Sequence, residues 1–273
     1  MSIAAPLQPD QDPSRWNAHA GAYERIFEPL TTAFACQALD RLEPLAGRRL
    51  LDVAAGAGGA ALEAQHRGAR VTAVDAAAAM VRRIAARAPG VDAQAMDGAA
   101  LALPDADFDI GLSCFGVVLF PDPAAGMAEL RRVLRPGGQV AIVTWTETHR
   151  YALAARLRDA TLAVRGDVPP GDLPAQLRFV EPEALRALVA GAGFAEVRVE
   201  RLEADLLAPS AAALAASLGF APGMAAMLDA LGADRPAVLQ AFAARLAADQ
   251  GPGEVRLGAV AHVALAVRAQ AWS

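Results

Sequence analysis

The residues best placed for chemistry form one run, Leu50-Leu51-Asp52-Val53-Ala54-Ala55-Gly56-Ala57-Gly58-Gly59. An apolar stretch suited to a buried strand enters a glycine turn, and a helical pattern opens behind it. Glycine is needed where the backbone takes a positive φ or approaches a ligand with no Cβ in the way. The helix N-terminus behind such a turn offers free N–H groups and the positive end of a dipole to an anion. The bland reading is a tight turn that binds nothing. Two further acids follow. Asp75 closes the run Val71-Thr72-Ala73-Val74-Asp75, where nucleotide-binding folds hold the hydroxyls of a ribose; alone it would be a helix N-cap. Asp97, in Met96-Asp97-Gly98, closes a third run. An acid there can accept from an exocyclic amine or simply cap a turn.

These acids need a scaffold that brings strand ends together. The spacing predicts strands over 49–53, 70–75, 92–96, 108–114 and 139–145, with helices near 59–67, 77–88 and 122–134 between them. Strand–helix alternation at this interval implies right-handed crossovers and parallel pairing. The helix stops are Gly68, Pro89-Gly90 and Arg135-Pro136-Gly137-Gly138. A single long helix is expected over 16–42, and beyond Trp145 helices over 151–165 and 182–192, strands over 196–205 and 255–267, and an alanine-rich helical insert to about Asp249. The reading is a doubly wound, mostly parallel seven-stranded α/β sheet. Its parts are an N-terminal helical cap over 1–47, a core over 48–145, a lid insert over 146–183, the rest of the core over 184–208 and 254–273, and a second helical insert over 209–253.

From Asp52 to Gly138 the chain resembles the class I S-adenosylmethionine-dependent methyltransferases, most closely the type 11 group that includes ubiquinone and menaquinone C-methyltransferases. The resemblance rests on four matches: the Asp-x-x-x-Gly-x-Gly turn of Asp52, Gly56 and Gly58; Asp75; Asp97 followed by Leu103-Pro104-x-x-x-Phe108-Asp109; and Leu130-Arg131-Arg132-Val133-Leu134-Arg135-Pro136-Gly137-Gly138. It implies S-adenosylmethionine as cofactor. Gly56 and Gly58 would then lie along its methionine part, Asp52 would support its amino group and Asp75 would bind its ribose. Ala76 and Met80 would line the adenine, with Met96, Asp97, Gly98 and Ala99 at the adenine amine. Ser113 and Cys114 would face the cofactor from the fourth strand, and Tyr23 matches a tyrosine that often closes over it. One departure is Val53-Ala54-Ala55, where a cysteine or glycine often precedes the turn; Ala55 is small enough to fit.

The reacting groups are less legible. Displacement at a sulfonium gains much of its rate from alignment and desolvation, and a base is needed only for a neutral hydroxyl or an unactivated carbon acid. His19, one turn before Tyr23, and His149, after the fifth strand, are the candidate bases. Arg178 is a candidate partner for an anionic substrate. Gly111-Leu112-Ser113-Cys114-Phe115-Gly116 misses a nucleophile elbow because Phe115 stands where the second glycine belongs. The four histidines have no metal-ligand spacing, so no metal is expected.

Composition narrows the partners. A net charge of −5 argues against nucleic acid, which usually needs a basic face. The mean hydropathy of +0.28 owes much to alanine, a weak hydrophobe. Prolines and glycines break the longest uncharged stretch, 206–228, which makes a membrane span improbable. Two distant cysteines, Cys36 and Cys114, imply no disulfide framework and fit a reducing cytoplasm, and the first residues do not form a signal peptide. The expected acceptor is a small, largely apolar molecule roofed by the inserts, and self-association is left open. Two other readings remain. Gly56-Ala57-Gly58-Gly59-Ala60-Ala61 also fits a dinucleotide fingerprint and hence an NAD-dependent oxidoreductase. A cyclase-like protein of the same fold could bind the cofactor without using its methyl group.

Overall fold

In a computed structural model that describes residues 6–168 and 174–270, the sheet has seven strands in the order β3-β2-β1-β4-β5-β7-β6. The strands are β1 Arg49–Val53, β2 Arg70–Asp75, β3 Asp92–Ala95, β4 Phe108–Cys114, β5 Leu134–Trp145, β6 Phe194–Ala208 and β7 Val255–Arg268. The first five pair in parallel, and β7 runs antiparallel to both β5 and β6. The helices are α1 Pro13–Ile26, α2 Glu28–Asp40, α3 Gly59–His66, α4 Ala78–Arg87, α5 Pro123–Val133, α6 Ala152–Arg165, α7 Pro182–Gly191, α8 Ala211–Ser217, α9 Pro222–Asp229 and α10 Arg235–Gln250. The proline-rich sequence at 169–174 falls almost entirely outside the described residues.

Three departures have local causes. The single helix expected over 16–42 is two helices that meet at Phe27, because Pro29 lacks an N–H and its ring clashes with the preceding turn. β5 begins at Leu134, and residues 135–138 bulge out between the pairs Phe108↔Leu134 and Ile110↔Gln139. β6 and β7 are longer than expected. Pairing of β5 with β7 ends at Trp145↔Ala261, whereas β6 and β7 continue to Ala208↔Val255. At about 3.3 Å per residue the hairpin overshoots the carboxyl edge of the parallel strands by roughly 20 Å.

One face of the sheet carries α2 and α3 in a continuous apolar core with Ile84 of α4, and α6, α8 and α10 join the same core. The other face carries α5 and α7 around Phe108, Leu130, Ile142 and Leu185. The second insert leaves the overshooting end of β6 and returns into β7. α10 packs on α6 and α8, and α9 packs on α1. The helical inserts therefore sit above the carboxyl edge. On α6, Leu153, Leu157 and Ala160 fall at helical spacing and are buried, whereas Val164, next on the same face, is exposed. Among the described residues no single helix is long and apolar enough to cross a membrane.

Candidate cofactor site

The glycine turn stands at the carboxyl end of β1, beside the ends of β2 and β4, where open α/β sheets bind ligands. Gly56 and Gly58 both take positive φ, 58° and 99°. Ala54 does so too at 57°, so the departure from the family pattern falls on Ala54 rather than Ala55. A Cβ on Gly56 would lie 3.2 Å from the Tyr23 ring, and one on Gly58 would lie 2.9 Å from buried Ile84.

Asp75 is committed to this turn. One carboxylate oxygen accepts the Gly56 N–H at 2.9 Å and the other the Ala77 N–H at 2.8 Å. A carboxylate has about four acceptor positions, so lone pairs remain for a ribose. Burial outweighs these bonds and pushes Asp75 up to about 6. Asp52 is almost fully enclosed, and its Oδ2 has no hydrogen-bond partner among the described residues. Burial, followed by the nearby Asp75 and Glu28, pushes it up to about 7.

The helix N-terminus behind the turn is already filled. Glu28 of α2, itself buried, accepts the Gly59 N–H at 2.9 Å and pairs with Arg87 at 2.6 Å. The expected anion site is therefore closed by a side chain of this chain, and a pyrophosphate would have to displace it. Between Glu28 and Asp52 lies a small cavity of about 20 Å³, walled also by Tyr23, Thr31, Ala55 and Cys114, room for about one water. Tyr23 closes it from α1. Its hydroxyl donates to Thr31 Oγ1 at 3.0 Å, and Thr31 in turn donates to the Glu28 carbonyl. Burial keeps the Tyr23 phenol and the Cys114 thiol protonated.

The other expected residues divide. Ala76 and Asp97 are exposed and Met96 is half-buried at the ends of β2 and β3. Asp97 accepts the Ala99 N–H at 2.8 Å, a turn-capping bond. Gly98 is buried, and a Cβ there would lie 2.5 Å from Phe120. Met80 packs among Ala20, Ala57 and Ala77, so it backs the site rather than lining it. Ser113 is a correction: fully buried, it donates to the Val53 carbonyl at 2.8 Å and accepts the Val117 N–H at 3.0 Å. It staples β4 to β1 and presents nothing to a ligand.

Neither histidine lines the cavity. His19 holds the Gly219 carbonyl through Nδ1 at 3.0 Å, tying α1 to the second insert. His149 is exposed and lines a separate groove of about 340 Å³ against Glu203, Asp205 and Gly258 of the β6–β7 hairpin. Arg178 is also spoken for, since it donates to the carbonyls of Val118 and Phe120 at 2.7 and 2.6 Å. Sequence reasoning missed Glu28, Thr31 and Ala54. Glu28 gives no local signal, since its partner lies 31 residues away; positive φ at Ala54 could have been inferred from the family's small residue there.

The model of the family described as a methyltransferase domain matches residues 51–142. An uncharacterized protein of Mycobacterium bovis is 40% identical over 132 residues, and the chain spans about half its length (48%, against 46% of this chain). The demethylmenaquinone methyltransferase of Thermus thermophilus is 35% identical over 61% of this chain and 82% of its own. Nocamycin O-methyltransferase of Saccharothrix syringae is 32% identical over 71% and 76%. Among solved structures, phosphoethanolamine N-methyltransferase 2 of Haemonchus contortus aligns with a TM-score of 0.56 at 17% identity, over 97% of this chain and 61% of its own. The [4+2]-cyclase SpnF gives 0.51 at 21%, over 88% and 81%. On the two named relatives, of which it covers more than three quarters, and on the family match across the glycine turn and β4, the chain belongs to the S-adenosylmethionine-dependent methyltransferase family rather than to the NAD-dependent oxidoreductases.

Proposed function

We propose that this protein transfers a methyl group from S-adenosylmethionine to a small, largely apolar organic molecule. The observation that carries the reading is the sign of the site. Glu28, Asp52 and Asp75 converge on the glycine turn, and the only side-chain cation bonded to any of them, among the described residues, is Arg87 on Glu28. Such a site disfavours a pyrophosphate and suits a ligand carrying an ammonium and a sulfonium. The buried, unpartnered Oδ2 of Asp52 fits the ammonium. Asp75 has acceptor positions left for ribose hydroxyls, and Ala76, Met96, Asp97, Gly98 and Ala99 would line the adenine. The names of the two curated relatives agree with this reading.

When bound, the cofactor supplies a methyl group on positively charged sulfur, open to direct displacement. The chain's own part is to bind, align and keep water out. Tyr23 covers the turn from α1, and the inserts roof the carboxyl edge with apolar side chains. The acids that line the cavity are Glu28 and Asp52, one held by Arg87 and the other facing the ammonium, so the acceptor reaches the site already nucleophilic, or His19 acts after breaking its bond to Gly219.

Calorimetry tests this directly. S-adenosylmethionine and S-adenosylhomocysteine should each bind at one micromolar-range site and NADH should not. Binding of NADH with no response to either sulfur compound would refute the proposal. A cyclase-like role is separated by supplying candidate acceptors and following S-adenosylhomocysteine, which accumulates only if the methyl group leaves.

A further inference from the structure

The chain is poor in aromatics, yet eight of them meet in one network around the end of β5. Trp145 stacks on Phe115 at 4.1 Å and on Tyr151 at 5.0 Å. Phe27 lies 5.8 Å from Trp145, 6.5 Å from Tyr151 and 6.1 Å from Tyr23, the residue that closes the cofactor cavity. Phe220, from the second insert, stacks on Phe27 at 4.3 Å. Flat apolar walls thus run from the cofactor cavity to the hinge of α6. One of the polar atoms set into them has no partner. The Tyr151 hydroxyl is wholly enclosed and has no hydrogen-bond partner among the described residues.

An enclosed hydroxyl without a partner is costly and calls for an explanation. A buried water is a poor one, because water needs two to four polar partners, and of the rings against Tyr151 Phe27 has no polar atom and Trp145 only its indole N–H. Burial alone raises the Tyr151 phenol, and no charge or hydrogen bond contributes. The hydroxyl is therefore a neutral donor at neutral pH. Tyr151 also sits where the chain turns from β5 into the first insert, bridged to Ala259 of β7.

We propose that Tyr151 is a specificity-determining residue. Its hydroxyl donates a hydrogen bond to an oxygen on a planar aromatic acceptor, and that acceptor displaces Phe220 to lie against Phe27 and Trp145. This rests on the reading of the chain as a small-molecule methyltransferase and adds the chemical class of its acceptor. The apolar walls take the ring, and the unpartnered hydroxyl selects the oxygen.

The test is calorimetry on the full chain with 2-naphthol and with naphthalene, each with and without S-adenosylhomocysteine. The native protein should bind 2-naphthol roughly 5- to 20-fold tighter than naphthalene, the factor one neutral hydrogen bond provides. Tyr151→Phe should bind the two equally, with naphthalene affinity unchanged. The empty Y151F protein should melt no lower than the native one, since it loses only an unpartnered group. Discrimination that survives in Y151F, a native protein that binds the two probes equally or binds neither, or a Y151F protein that melts several degrees lower would each overturn the proposal. Absence of S-adenosylhomocysteine binding would count against the cofactor reading instead, and the discrimination measured without it would still decide the role of Tyr151.

Discussion

The two ends of the same sheet treat polar groups in opposite ways. At the amino edge every conspicuous charge is answered. Asp109 accepts the Arg49 backbone N–H at 2.8 Å and pairs with Arg135 at 2.6 Å. Arg132 holds Glu129, Asp105 and the carbonyls of Leu101 and Leu103. Arg268 of β7 reaches the carbonyls of Arg131, Arg132 and Leu134. At the carboxyl edge Asp52, Thr144, Tyr151 and His262 all bury a side-chain atom without a hydrogen-bond partner among the described residues. The amino edge is built for stability. The carboxyl edge holds unpaired acceptors and donors at a cost in stability, as a binding site must before its ligand arrives.

This division sorts the motifs that carried the family resemblance. The Leu-Pro-x-x-x-Phe-Asp and Arg-Pro-Gly-Gly pieces meet through Asp109 and Arg135 and serve the fold, whereas the Asp-x-x-x-Gly-x-Gly turn serves the ligand. Substitutions should respect the division. Gly58→Val should have the largest effect. It forces a branched residue to φ 99° against buried Ile84 and should cost roughly 2–5 kcal/mol in denaturant unfolding, with cofactor binding lost as well. Gly56→Val, whose nearest neighbour is the edge of the Tyr23 ring, should disturb the fold less and abolish cofactor binding. Asp109→Ala should cost about 2–3 kcal/mol of stability while leaving cofactor affinity within twofold by calorimetry.

The acids predict a pH dependence whose sign can be worked out. Burial raises Asp52 and Asp75 from the ordinary carboxylate range to about 7 and about 6. Folding therefore favours their protonated forms. Their contribution to the stability of the empty protein is complete in acid and is lost as the pH rises through 6 to 7. A cofactor ammonium needs the Asp52 carboxylate charged, so affinity should move the other way and rise between pH 6 and 8. Titrations at those two pH values check it, and a flat profile would remove Asp52 from the ammonium site. The smallest expected effect is at Ala54. Glycine there relieves the strain of φ 57°, and Ala54→Gly should be neutral to about 1 kcal/mol more stable, read from the thermal midpoint.

Much of this division is legible in the sequence. β1, β2 and β4 run as expected, because parallel strands covered on both faces are short apolar runs bounded by turn residues. The long helix fails at Pro29, a stop present in the sequence that the apolar pattern on either side outweighed. The carboxyl-edge acids Asp52 and Asp75 are legible because they sit at fixed distances from the glycines. Glu28 is not, since only tertiary packing brings α2 to Gly59. His19 and His149 were read from position along the chain, which does not say which way a side chain turns. One is tied to Gly219 and the other opens onto the outer hairpin groove.

The measurement that tests the account most directly is a crossed comparison of Asp52→Asn and Asp109→Asn, with thermal midpoint and S-adenosylhomocysteine affinity read on each at pH 8. Asp52→Asn should be as stable as the native protein or more so when empty, since it removes a buried charge, and should bind about 10- to 100-fold more weakly, the loss of one charged hydrogen bond. Asp109→Asn should melt several degrees lower and bind normally. If Asp52→Asn destabilises the empty protein and leaves affinity unchanged, the carboxyl-edge acid is structural like its amino-edge counterpart, and the cofactor site proposed here is wrong.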